Sequence, residues 1–218
     1  MAYNEVKSDF MMSDEVDALF SNLDDFHAMM ARAQGFKGKA NQLVKVPGKT
    51  GNIELILFGA GANPRDEAGP VRTGKLASVI SKGDYKIASY PKAWDGDLMA
   101  IGWGLGAYRF DKYLKDKREK PSLDLTGFEN ADEIRAIVEG ITLGRDLINT
   151  PSNDMGPIAL EDAGRALASR HGASVRVTEG QALLDNNFPM IHAVGRAAHE
   201  EPRLVEIEWG NPDHPRLA

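Results

Sequence analysis

The chain has 218 residues, enough for one large domain or two small ones. A hydrophobic content of 42% and a charged content of 27% are ordinary for a globular protein, and a net charge of -6 excludes a general polyanion binder, because phosphate contacts need clustered Lys and Arg. The lack of cysteine excludes disulfides, thiolate metal sites and Cys nucleophiles, and it fits a reducing compartment.

Met1 to Ser13 contains Glu5, Lys7 and Asp9 and no apolar run of signal-peptide length. No stretch approaches a membrane span, so a cytoplasmic protein with no membrane partner is expected. Ser13 to Gln34 predicts a helix. Val16, Leu19, Phe20, Leu23, His27 and Met30 recur at helical spacing, Asp14, Glu15 and Asp17 fill the first turn, and Gly35 is a stop. Gln42 to Val46 and Ile53 to Phe58 predict two strands flanking Pro47-Gly48-Lys49-Thr50-Gly51-Asn52, which has hairpin turn chemistry.

A Gly/Pro-rich stretch runs from Gly59 to Gly74. Tyr85 to Tyr90 predicts a short strand ended by Pro91, and Asp97 to Lys115 a helix with Leu98, Ile101, Leu105, Tyr108 and Tyr113 on one stripe. Lys115 to Thr126 is charge-dense and then meets Pro121. It reads as a solvated linker, with acids interrupting the bases, so nucleic acid is not an expected partner. The expected domains are therefore 1–120 and 121–218.

After that boundary the pattern is regular. Asn130 to Ile148 predicts a helix with Ile134, Ile137, Val138, Ile141 and Leu147 on one face, and Asn130 and Glu133 at capping-box spacing. Pro157 suits the first position of a second helix that runs to Gly172. Ser174 to Thr178 and Arg203 to Trp209 predict strands, with a short helix at Gln181 to Asn187 between them. Alternating helices and strands argue for an α/β fold.

Several residue groups suggest chemistry, each with a structural alternative. Gly102-Trp103-Gly104-Leu105-Gly106-Ala107 satisfies the loose dinucleotide pattern, which needs a strand before it and a helix N-terminus at it. Here the glycines lie inside a helical stripe, so close helix packing is the better reading. Gly59-Ala60-Gly61 follows a strand, but Pro64 and a missing third glycine spoil the pattern.

His27, His171, His192, His199 and His214 make no spacing that puts two imidazoles on one helical face. Glu206 and Glu208 share one strand face and could hold a hard cation, but a solvated or salt-bridged face is the simpler reading. Ser152 lacks the context of a nucleophile elbow. Asn149-Thr150-Pro151-Ser152-Asn153-Asp154 reads as a connector that sets the angle between two helices.

Four stretches resemble the leucine aminopeptidase (cytosol aminopeptidase) family of metallopeptidases. They are Ile101 to Phe110, Gly144 to Pro157, Phe188 to Arg196, and Pro202 to Gly210. They occur in the family's order, and the run Asn149-Thr150-Pro151-Ser152-Asn153-Asp154-Met155 is the most specific. The resemblance implies a small N-terminal α/β domain followed by the opening helices and strands of a larger α/β catalytic domain, here truncated. It also implies subunits that assemble as hexamers.

The family removes N-terminal residues, often leucine, from peptide substrates with two divalent cations, Zn or Mn, which polarise the scissile carbonyl and activate water. Its ligands lie in Val-Gly-Lys-Gly, Phe-Asp-Thr-Gly-Gly and Asn-Thr-Asp-Ala-Glu-Gly-Arg type motifs, none of which is in this sequence. No catalytic, cofactor-binding or metal residue carries over, and Asp146 and Asp154 count as scaffold. The expectations are a chain that binds no cofactor and is inactive alone, and a strand at Arg203 to Trp209 that opens a larger parallel sheet. Two other readings stand beside this one: a non-catalytic assembly or regulatory module, and a dinucleotide-binding domain resting on Gly102 to Gly106.

Overall fold

A strand over Val6–Met12 (β1) lies at the centre of a five-stranded sheet. In this computed structural model, residues 6–12, 14–63, 68–117, 119–211 and 213–214 are described. The expected helix start at Ser13, Pro64 of the Gly/Pro-rich stretch and Arg118 of the charged run lie outside them. The other strands are β2 (Leu43–Pro47), β3 (Ile53–Gly61), β4 (Gly83–Ser89) and β5 (Pro121–Leu123), in the order β2-β3-β1-β4-β5. β1 pairs in parallel with β3 and β4, β4 pairs in parallel with β5, and β2 is antiparallel to β3.

Nothing in the sequence pattern predicts β1. A central strand is covered on both faces and need not alternate, and here Ser8, Asp9 and Phe10 are all buried.

The two faces of β3 sort the core into layers. Leu55 and Leu57 point toward α1 (Val16–Asn22) and α2 (Asp25–Ala33), which deliver Val16, Leu19, Phe20, Ala28 and Ala31. Ile56 and Phe58 point the other way, toward α3 (Thr73–Val79) and α4 (Gly96–Ala107), which deliver Leu76, Ala77, Met99 and Trp103. Each such large apolar side chain contributes roughly 1.5–3 kcal/mol on full burial.

Three expectations change in this part of the chain. The single helix from Ser13 to Gln34 is two helices. Leu23 is extended at φ -84°, ψ 153°, and the Asp24 carboxylate accepts from the backbone N–H groups of Phe26 and His27. Asp24 is therefore an N-cap that starts a new helix. The stretch Gly59 to Gly74 holds the end of β3, a 3-10 turn at Pro70–Arg72 and the start of α3. The helix expected to reach Lys115 stops at Ala107, where Tyr108 turns to φ -58°, ψ 135°. The three glycines in its last turns have low helix propensity, and Arg109 donates to the carbonyl of Ser78, 2.8 Å away at the end of α3.

The charged run after Lys115 leads into the sheet. Pro121 opens the edge strand β5, a position that needs no N–H, and Gly83 and Tyr85 pair with Pro121 and Leu123. The sheet thus extends past residue 120. The chain divides into two compact units, Met1–Gly144 and Arg145–Ala218, with α5 (Ala131–Asn149) running across the divide.

The second unit contains α6 (Pro157–His171), β6 (Ser174–Glu179), α7 (Gln181–Asp185), α8 (Pro189–Gly195) and β7 (Arg203–Glu208). Pro157 takes the first position of α6, and Gly172 ends it in the left-handed region at φ 66°. β6 and β7 form a two-stranded antiparallel sheet, with Val175 opposite Ile207 and Val177 opposite Val205. This corrects the expectation of a parallel strand: among the described residues, β7 pairs with β6 alone. α6 lies close over the pair at Gly164, where a Cβ would sit 3.5 Å from the methyls of Val205 and Ile207. The α/β architecture holds in both units.

Candidate functional site

The segment Asp146 to Pro157 ends α5, turns, and starts α6. Thr150 is buried, and both its N–H and its Oγ1 donate to the Asp146 carbonyl, at 3.0 and 2.7 Å. This closes the last turn of α5, and Pro151 steers Thr150 out of helical geometry. The Pro151 carbonyl accepts from the N–H groups of Asp154 and Met155, each at 2.9 Å. Gly156 then admits Glu200, whose carboxylate would lie 2.5 Å from any Cβ there. Glu200 Oε2 accepts from the N–H of Ile158 at 2.9 Å, so a residue just before β7 caps α6. Asp154 and Ser152 are exposed and Asp146 is half-buried. The Thr150 hydroxyl and the backbone groups of Thr150, Asp154 and Met155 make the turn.

A charged network lies between α6 and the strand pair. Arg203 donates from a guanidinium nitrogen to Glu161, and the same nitrogen lies 3.4 Å from Glu179. Arg165 also donates to Glu161, at 2.7 Å. The side chains of Glu161 and Arg203 are 12% and 10% exposed, so the pair is largely shielded from water. The hydrogen bonds from Arg165 and Arg203 hold the Glu161 carboxyl below its ordinary range. The i, i+4 spacing of Glu161 and Arg165 is legible in the sequence; the partner 42 residues away is not.

In the first unit, Asp9 is buried in the central strand and accepts from Ser89 Oγ at 2.6 Å. Burial raises its carboxyl above the ordinary value, opposed by the Ser89 hydrogen bond and by Lys7. Because β1 is not predictable from the sequence, neither is this buried acid.

The residues singled out in the sequence are not brought together. His27 pairs through Nδ1 with Asp24, and its Nε2 lies 3.4 Å from Glu54, too poorly aligned for a hydrogen bond. His171 ends α6, and its carbonyl accepts from the Trp209 indole at 3.0 Å. His192 is half-buried on α8, and His199 and His214 are exposed. Glu206 pairs with its cross-strand neighbour Arg176 at 2.7 Å, the salt-bridged face that was the simpler reading.

The glycines of α4 are occupied by packing. A Cβ on Gly102 would meet Thr73 Oγ1 at 2.7 Å, one on Gly104 would meet Val138 at 2.6 Å, and one on Gly106 would meet the Gly74 carbonyl at 2.0 Å. α4 begins at Gly96 with Asp95 as its cap, so no free helix N-terminus stands at these glycines.

Among the described residues, no group of three His, Asp or Glu side chains stands close enough to hold a metal ion. A two-metal centre needs several carboxylates converging on each cation. The described donor set does not fit one. No helix of the described residues is long and apolar enough to cross a membrane.

Residues 6–126 match the family model for the N-terminal domain of M17 aminopeptidases, and residues 142–217 match the catalytic domain of the cytosol aminopeptidase family. The chain belongs to this M17 cytosol aminopeptidase family.

It is 30% identical over 187 residues to the "Probable cytosol aminopeptidase" of Corynebacterium glutamicum, an alignment covering 81% of this chain and 37% of that protein. The crystal structure of cytosol aminopeptidase from Coxiella burnetii superposes with a TM-score of 0.82 at 28% identity, covering 99% of this chain and 46% of that one. The bottromycin maturation enzyme BotP in complex with Mn shares the fold, with a TM-score of 0.74 at 24% identity, covering 97% of this chain and 46% of BotP. The chain thus spans about two fifths of the length of the curated relatives it matches.

Proposed function

We propose that these residues serve as the N-terminal domain and the opening of the catalytic domain in a leucyl aminopeptidase-like metalloexopeptidase. The enzyme removes N-terminal residues from peptides and uses two divalent cations, Zn or Mn, held by motifs that this sequence does not contain. The observation that carries the reading is the pair of family matches, in order along one chain. In this role the 218 residues supply scaffold. β1 and its flanking helices form one unit. In the other, the turn at Thr150 and the Glu161–Arg203 contact fix α6 against the strand pair. Assembly as a hexamer and action inside the cytoplasm belong to the same proposal, supported by the family resemblance and by relatives named cytosol aminopeptidases.

Hydrolysis of leucine p-nitroanilide tests the reading. The pure 218-residue chain with Mn or Zn is expected to show none. A form that also carries the Val-Gly-Lys-Gly, Phe-Asp-Thr-Gly-Gly and Asn-Thr-Asp-Ala-Glu-Gly-Arg type motifs is expected to be active. Turnover by the short chain, or an inactive long form, contradicts it.

A further inference from the structure

A cavity of about 220 Å³ lies within the first unit, bounded by α4, β5 and α5. Ala100, Trp103, Ala107, Leu123, Ile134 and Val138 make its apolar wall. Two charged residues also line it, Arg135 and Glu139, and both are exposed. They stand one helical turn apart on α5, on the same face. Trp103 is 1% exposed, and its indole N–H has no hydrogen-bond partner among the described residues.

We propose that this cavity binds a free amino acid with an apolar side chain. Size sets the first limit. The volume is below the roughly 300–1,000 Å³ typical of drug-sized ligand sites, which leaves room for about one amino acid. The wall then selects an apolar side chain, and the rim selects the two ends of a zwitterion. The Arg135 guanidinium suits the α-carboxylate, and the Glu139 carboxylate suits the α-ammonium.

Arg135 now pairs with Asp132 at 2.6 Å, but Asp132 is fully exposed, and such surface pairs are weak and exchangeable. A purely apolar ligand would leave Arg135 and Glu139 at the rim unused, whereas a zwitterion engages both. The inference rests on the cavity's own residues and not on the peptidase reading, although such amino acids are what the proposed enzyme would release.

The test is a titration of the 218-residue chain with L-leucine, followed by amide chemical shifts. Saturable shifts confined to α4, β5 and the first half of α5 are expected, with an affinity on the order of millimolar or tighter. Leucinamide, which lacks the carboxylate, and 4-methylpentanoate, which lacks the ammonium, should each bind about fivefold more weakly. Arg135→Gln sits at an exposed position and should leave the fold intact. It should weaken leucine about fivefold while leaving leucinamide unchanged. Non-saturating shifts, shifts elsewhere in the chain, equal binding of the three ligands, or an Arg135→Gln effect of the same size on leucine and leucinamide would each overturn the proposal.

Discussion

Arg203, at the first position of β7, donates to the carboxylate of Glu161 on α6, bridging 42 residues of chain with both side chains largely shielded from water. The contact ties the helix to the strand pair where Gly164 lets them approach. Glu161 is held ionised to lower pH than an ordinary carboxyl by hydrogen bonds from Arg165 and Arg203. A depressed carboxyl stabilises the fold above its unfolded value, here 4.5, and that contribution is lost as pH falls through the lower folded value. Glu161→Gln should therefore lower the melting temperature at neutral pH and flatten the loss of stability below pH 4.5. Thermal melts from pH 7 down to acid check this; identical acid limbs in wild type and variant would refute it.

Asp9 has the opposite sign. Burial raises its carboxyl, so the folded state holds its proton to higher pH than the unfolded state does. Stability then falls as pH rises from the ordinary value of 3.8 through the raised one, and stays lower beyond it. Asp9→Asn keeps an acceptor for Ser89 Oγ and removes the charge. It should melt higher than wild type at pH 8 and show no advantage at low pH. Equal melting curves at pH 8 would show that the buried carboxylate carries no penalty.

Two glycines predict opposite outcomes for one substitution. A Cβ on Gly106 would lie 2.0 Å from the Gly74 carbonyl, and backbone cannot swing aside, so Gly106→Ala should destabilise by about 1–3 kcal/mol. Gly140 is exposed on α5 with nothing within 4 Å, so Gly140→Ala should stabilise by about 0.5–1 kcal/mol through helix propensity. Urea unfolding of both variants decides it. Because packing occupies the α4 glycines, NAD and ATP should leave the melting temperature of the wild type unchanged; a rise would restore the dinucleotide reading.

The second half of the chain was the more legible in sequence. α5 and α6 announce themselves by amphipathic spacing and by Pro157 and Gly172 at their ends, and they form where that pattern places them. The β2–β3 pair follows from its turn chemistry. β1 escapes because a strand buried on both faces need not alternate, and Ser8 and Asp9, the latter accepting from Ser89, break any apolar run. β5 escapes because three residues after a charged run carry no period. α8 hides for a similar reason: among its residues none is fully buried, so no stripe marks it, and only Pro189 at its first position signals a start. As for the site, the turn at Thr150 to Gly156 reads directly from Pro and Gly placement, but the partners Glu200 and Arg203 come from across the second unit. Long-range pairing of that kind leaves no local trace.

Equilibrium dialysis of the 218-residue chain against Mn(II) and Zn(II), with bound metal measured per chain, bears most directly on whether these residues are scaffold. The described side chains present no group of three metal-binding ligands. No stoichiometric uptake of either cation is the predicted result. Stoichiometric, saturable retention of Mn or Zn would contradict it and place metal chemistry within this chain.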